Sequence, residues 1–267
     1  MKIVLLTSES LRHKYIAAQL AEELQLALVI TEKKSAAIQD TTKLKKEDAS
    51  FVSTHFKARN RSESYFFKDF QDFPKEVPQL KMPHESINSQ IVKSVVDSLE
   101  PDYLVLFGTS IIKDPILKKY SGRIINLHLG LSPYYKGSAT NIFPYNYNEP
   151  ECVGATIHLA TSNVDDGPVL HQLKPEIELG DDLHNIGNKT ILQTGKILPK
   201  VIKALSEKKI VAQKQTSVGR ICRNKDVTPD LLRKIYSKFE DGMIREYLKE
   251  KESRDKQKPI IELSFQL

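Results

Sequence analysis

The sequence predicts an α/β domain with an open sheet, followed by a small, mainly helical appendage. Three observations predict it. The chain opens as strand, helix, strand: residues 2–6 are an apolar run, Leu11, Tyr15, Ile16, Leu20 and Leu24 recur at helical spacing, and residues 27–30 are apolar again. A second alternation follows, in which residues 87–99 keep helical period, Pro101 stops them, and residues 103–107 form a strongly apolar strand. Finally, Gly180-Asp181-Asp182 caps a long helix with Leu183, Ile186, Ile191, Leu192 and Ile197 as its apolar positions. The chain of 267 residues then leaves only about sixty beyond residue 205, too few to bury a full core alone.

Taken in order, the hydroxyls of Thr7-Ser8-Glu9-Ser10 can cap the first helix. That turn contains no glycine, so the close backbone approach to a phosphate that glycine permits is not built in. Residues 32–47 are charged and read as helix or loop. Residues 51–73 mix His55, Arg59, Arg61 and Glu63 with the aromatics Phe56, Tyr65, Phe66, Phe67, Phe70 and Phe73 and read as a helix with its apolar side on the core; a stacking surface is the other reading. His55 and Arg59 stand one helical turn apart, an anion-binding pair if they face a cleft. Asp114-Pro115 begins a short helix through Lys119. Residues 123–127 form a strand between a Ser-Gly turn and a loop containing Gly130, Pro133 and Gly137. Residues 134–141 read as an ordered loop entering a helix, with Lys136 and Asn141 as its substrate-contact candidates. Strands are expected at 152–160, 168–177 and 210–215. Thr228-Pro229-Asp230 caps amphipathic helices carrying Leu231, Leu232, Ile235, Tyr236, Phe239, Met243 and Tyr247.

Composition narrows the classes. The net charge is +6, and from Lys196 onward eighteen Lys or Arg face ten Asp or Glu, so the tail carries the excess. A basic tail suits nucleic acid, a phosphorylated substrate or an acidic partner, and equally a solvated helical surface. Cys152 and Cys222 have neither metal spacing nor a disulfide framework, as expected of idle thiols in a reducing compartment. The apolar run after Met1 is too short for a signal peptide, and none later approaches a membrane span. A cytoplasmic protein without bound metal is expected.

The chemistry centres on Asn126-Leu127-His128. Side chains two apart on a strand point the same way, so an amide and an imidazole would stand together at the carboxyl end of a strand, where open α/β sheets place ligands. Val164-Asp165-Asp166-Gly167-Pro168 is an acidic turn able to return a carboxylate to that pair. If an amine attacks a carbonyl, Asn126 and His128 can stabilise the oxyanion, and Asp165 can orient His128 or shuttle the proton. None of the three is a strong nucleophile, which favours direct transfer. The same residues also fit an ordinary polar strand end.

Four ordered blocks, 126–128, 131–137, 154–158 and 165–170, resemble the catalytic domain of the folate-dependent formyltransferases, over roughly residues 1–205. The resemblance implies a doubly wound, Rossmann-like, mostly parallel sheet and transfer of the formyl group of 10-formyltetrahydrofolate to an amine through a tetrahedral intermediate. It implies Asn126, His128 and Asp165 as catalytic residues, with Asp165 preferred to Asp166 as the first position of an Asp-x-Gly motif. It places the donor's pterin against Ile111, Ile112 and Val164, and the acceptor near Lys136, Asn141, His55 and Arg59. One departure stands out: the family usually has Pro-Ser after its His, and this chain has Leu129-Gly130.

The expected function is therefore formyl transfer to a small-molecule primary amine, with an amino-sugar nucleotide as best candidate. Glycinamide ribonucleotide is marked down by the glycine-free first turn. Initiator tRNA, and with it nucleic acid as partner, is marked down by an appendage at 206–267 that is short for a tRNA-holding domain. A 10-formyltetrahydrofolate hydrolase is the second reading; such enzymes carry an extra amino-terminal domain, whereas the first strand here starts at Lys2. A non-catalytic folate-binding module is the third. The appendage is expected to pack on the main domain or to form a homodimer.

Overall fold

The first strand explains why helices lie on both faces of the sheet. In the computed structural model, which describes residues 1–35 and 40–263, β1 (Lys2–Thr7) sends Ile3 and Leu5 into one apolar cluster and Val4 and Leu6 into another. Alternation along a strand sorts side chains to opposite faces, so each face needs its own helical cover. Helices α1 (Leu11–Glu23) and α6 (Leu183–Ser206) cover the first face through Tyr15, Ile16, Leu20, Leu198, Val201 and Ile202. Helices α3 (Gln90–Leu99) and α4 (Ile116–Lys119) cover the second through Val92, Val96 and Ile116. This is the doubly wound α/β architecture that the sequence predicts.

Seven strands make the main sheet, in the order β3 (Gln79–Met82), β2 (Gln25–Glu32), β1, β4 (Tyr103–Leu106), β5 (Ile124–His128), β7 (Ala155–Leu159) and β8 (Val169–Leu173). The first five in that order run parallel, and β7 runs antiparallel to both of its neighbours, β5 and β8. The chain winds outward from β1 to β3 and then returns to the other side of β1, so its direction of progress reverses between β1 and β4. A crevice at the carboxyl ends of the strands belongs at that reversal. A second sheet pairs β6 (Tyr135–Gly137) in parallel with β9 (Arg220–Cys222), joining the central loop to the carboxyl-terminal region.

Several expected boundaries move. The helix expected across 51–73 is α2 (Lys46–Phe66); Phe67 and Phe73 lie beyond it, buried in the first cluster. Of the charged stretch 32–47, residues 36–39 lie outside the described residues. The strand expected at 168–177 stops at Leu173, and the one at 210–215 is reduced to a bridge between Gln213 and Val169, because the chain leaves the β8 edge after that contact.

The carboxyl-terminal helices α7 (Pro229–Glu240) and α8 (Met243–Lys249) bury Ile235, Met243, Ile244 and Tyr247 against Tyr145 of the short α5 (Phe143–Asn146), Ile177, Leu183 and Ile186. A segment too small for its own core thus borrows one from the main domain. Helix α9 (Lys251–Gln257) follows, and the tail then returns along β8, where Gln172 N–H donates to Ile261 O at 2.7 Å. That contact covers an otherwise open sheet edge. Residues 264–267 of the expected appendage lie outside the described residues. Among the described residues no helix is long and apolar enough to cross a membrane.

Candidate active site

The antiparallel pairing of β5 and β7 sets Asn126 opposite His158 and His128 opposite Thr156. Directly opposed residues on one face are in reach of each other, and the turn from β7 to β8 brings Asp165 onto the same face. Its carboxylate becomes the hub. Oδ1 accepts from Asn126 Nδ2 at 3.1 Å and lies 3.4 Å from His158 Nε2; Oδ2 accepts from Gly137 N–H at 2.8 Å and lies 3.2 Å from His128 Nδ1. The acceptor carboxylate fixes which way the Asn126 amide faces. Asp165 reaches this position with φ 51°, in the left-handed region that a non-glycine residue occupies only when its surroundings demand it.

His128 is buried, and its Nε2 lies 3.1 Å from the carbonyl of Tyr135. Both ring nitrogens therefore face acceptors. A neutral ring satisfies one of them, while an imidazolium satisfies both. Burial pulls the His128 pKa down, against the opposing pull of Asp165, and the net shift is below the usual 6.5. The resting ring is neutral at pH 7 in surroundings shaped for the cation, which is how a preorganised site stabilises charge that appears only during reaction. Burial pushes the Asp165 carboxyl up, but His128, His158 and the Gly137 amide outweigh it and hold the group below 3.8, ionised.

The departure at Leu129-Gly130 has a steric reason. A Cβ on Gly130 would stand 2.5 Å from His128 Nε2 and 2.8 Å from Thr140, so the ring packs where a side chain would be. Leu129 joins the edge of the first apolar cluster.

The other expected residues divide. Lys136 forms an ion pair with Asp166, whose side chain is 44% exposed, so the second acid of the Asp-Asp pair faces outward and away from His128. Asn141 has a buried Oδ1 without a hydrogen-bond partner in the structure. Ile111 and Val164 are exposed, Ile112 is buried in the second cluster, and the Ile111 carbonyl accepts from Asn88. The pair His55 and Arg59 splits. The His55 ring is buried against His184, and both rings hydrogen-bond the Tyr236 hydroxyl at 3.1 Å, away from Asp165. Burial takes both imidazoles down to about 4.

Arg59 instead joins a cationic group at the reversal between β1 and β4. Burial first, then Arg12, lowers Arg59 to about 10; Lys34 is exposed as a residue, and the partial desolvation of its ammonium, then Arg12, shifts it in the same direction. Arg12 pairs with Glu63, and Lys34 donates to the Gly108 carbonyl. His13 Nδ1 accepts from Ser10 N–H at 3.2 Å, so its remaining proton sits on Nε2, toward Gly108. Sequence reading missed this convergence because Arg12, Lys34 and Arg59 come from three separate elements. Nothing local gives His158 a role within the strand expected at 152–160, and only the antiparallel register aligns it with Asn126.

Residues 1–202 match the formyl transferase family. The chain belongs to that family. Escherichia coli phosphoribosylglycinamide formyltransferase is 33% identical over 108 residues, which is 40% of this chain and 50% of that protein. Formyltetrahydrofolate deformylase 1 of Arabidopsis thaliana is 30% identical over 115 residues, 42% of this chain and 35% of that one. The matched stretch thus spans half or less of these curated relatives. The crystal structure of phosphoribosylglycinamide formyltransferase from Anaplasma phagocytophilum shares the fold, with a TM-score of 0.56 and 14% identity over 84% of this chain and 99% of that one. In this member of the formyl transferase family, the four blocks of the sequence fall on β5, on the loop that runs through β6, on β7 and on the turn into β8.

Proposed function

We propose that this protein transfers the formyl group of 10-formyltetrahydrofolate to a primary amine on a small anionic acceptor, with an amino-sugar nucleotide as best candidate. The observation that carries the reading is the convergence of Asn126, His128 and Asp165, drawn from two elements 39 residues apart into one hydrogen-bonded group. The donor supplies an activated formyl carbon. Asn126 donates to the formyl oxygen, exchanging one of the two contacts of its Nδ2, which lies 3.0 Å from His158 Nε2 and 3.1 Å from Asp165 Oδ1. His128 supports the negative charge that develops there, and Asp165 orients His128 and takes part in removing the amine's proton. Exposed Ile111 and Val164 suit the flat apolar face of a pterin at the rim of the site; Lys136 and Asn141 stand on the acceptor side. The cations Arg12, Lys34 and Arg59 at the sheet's reversal favour an acceptor bearing phosphate. Residues 1–205 carry this chemistry, and 206–267 form a small basic subdomain.

The test is consumption of 10-formyltetrahydrofolate by the purified protein with and without a panel of amines: amino-sugar nucleotides, glycinamide ribonucleotide and charged initiator tRNA. Turnover that requires one amine and collapses in His128→Ala supports the reading and names the acceptor. Equal donor loss without any amine makes the protein a hydrolase. Absence of both donor loss and donor binding leaves the fold without the chemistry.

A further inference from the structure

The carboxyl-terminal segment reaches the centre of this site. Gln215 Nε2 donates to the carbonyl of Asp165 at 2.9 Å and to that of Gly167 at 2.8 Å, bridging the turn that holds the carboxylate. Ser132 Oγ donates to the same Asp165 carbonyl at 3.2 Å. The backbone there is in the left-handed region, which an isolated Asp leaves readily. Only bonds from several sides keep it there.

Strand β9 acts on the partners of the site. It pairs with Tyr135–Gly137, whose Tyr135 carbonyl faces His128 Nε2 and whose Gly137 amide donates to Asp165 Oδ2. A Cβ on Gly137 would meet Cys222 O at 2.3 Å, so the two segments are in backbone contact. One further detail singles out Gln215. Its Oε1 is buried without a partner in the structure, while both donated bonds end on the catalytic turn. The hydrogen bonds of this half-buried side chain therefore bear on the catalytic turn alone.

We propose that Gln215 is a positioning residue of the formyl-transfer site, holding the Asp165 backbone so that the carboxylate meets His128, Asn126 and Gly137 together. The inference rests on the proposed function for its catalytic consequence and on geometry alone for its structural one. Two measurements separate these. The first needs no substrate: the amide proton of Gly137 reports its bond to Asp165 by NMR. In Gln215→Met, which keeps the side chain's length and removes both donors, this proton moves upfield and exchanges about tenfold faster, while the amides of β1 are unchanged. The second is kcat/KM for donor consumption, which falls about tenfold in the same variant, the scale of a small displacement of a catalytic group. Lys214→Ala, at the exposed neighbouring residue, changes neither.

Gln215→Ala repeats both measurements and guards against a specific fault of the Met side chain. An unmoved Gly137 amide in folded Gln215→Met and Gln215→Ala overturns the proposal, whatever the activity. If the native protein itself consumes no donor, a moved amide in the variants upholds the positioning and removes the formyl-transfer reading instead. A moved amide with unchanged kcat/KM overturns the catalytic half of the proposal.

Discussion

Replacing Asp165 by Asn removes one charge and almost no volume, so the change in rate reads the electrostatics of the site. In the native protein the carboxylate stands 3.2 Å from His128 Nδ1 and accepts from Asn126 and Gly137 at 3.1 and 2.8 Å. An amide accepts at one oxygen only; its NH2 then faces either the Gly137 and His128 side or the Asn126 and His158 side. At an effective dielectric of about 20, a unit charge at that distance stabilises an imidazolium by about 5 kcal/mol, and relaxation reduces this. At about 1.4 kcal/mol per decade, the expected loss in kcat/KM is about 10³, within the range of 10² to 10⁴ for a positioned acid or base. The assay is the initial rate of donor consumption at saturating amine, with Asp166→Asn measured alongside. The Asp166 side chain is 44% exposed and paired with Lys136, so its replacement changes the rate by less than about threefold. If Asp165→Asn retains more than a tenth of native activity, or Asp166→Asn loses more than Asp165→Asn, the carboxylate assignment is wrong.

Other perturbations test separate parts of the structure. Gly130→Ala puts a methyl 2.5 Å from His128 Nε2; it should lower stability by about 1–3 kcal/mol and kcat/KM by about 10², read by thermal melting and initial rates. Arg59→Gln should raise KM for a phosphorylated acceptor about tenfold with little change in KM for the donor, and equal effects on both would detach the cationic group from the acceptor. The acid limb of kcat/KM should have its midpoint below pH 6.5, because burial keeps His128 neutral to lower pH than a free imidazole and Asp165 is held below 3.8; a midpoint above 6.5 refutes the neutral resting state of His128. His55 and His184 are held at about 4 against an ordinary 6.5. Their folded values are depressed, so stability is full above pH 6.5 and falls between about 6.5 and 4, as unfolding lets each ring take up a proton, on the order of 3 kcal/mol per ring at the limit. Denaturant melts of native protein and of a His55→Gln, His184→Gln double variant check this, and parallel pH dependences would place the loss elsewhere.

The sequence by itself determined the fold class, and local pattern was sufficient for that. Local pattern also put Asn126 and His128 on one side of a strand, whereas the choice of Asp165 as their carboxylate came from the resemblance of four ordered blocks to a family. Ile3, Val4, Leu5 and Leu6 form an unbroken apolar run because β1 is covered on both faces, and Asn126 and His128 share a side because strands have a period of two. Tertiary structure decided everything that depends on which elements meet. Register across β5 and β7 brought His158 to Asn126. Packing of α7 on α2 and α6 turned His55 toward Tyr236 and His184, leaving Arg59 to join Arg12 and Lys34. The segment 210–215, which reads in isolation as a strand, crosses to the catalytic turn, where Gln215 bonds the backbone of Asp165. Residue spacing encodes the direction of a side chain within one element, whereas contact between elements follows from how two clusters of buried side chains close around a sheet, and no local period records that closure.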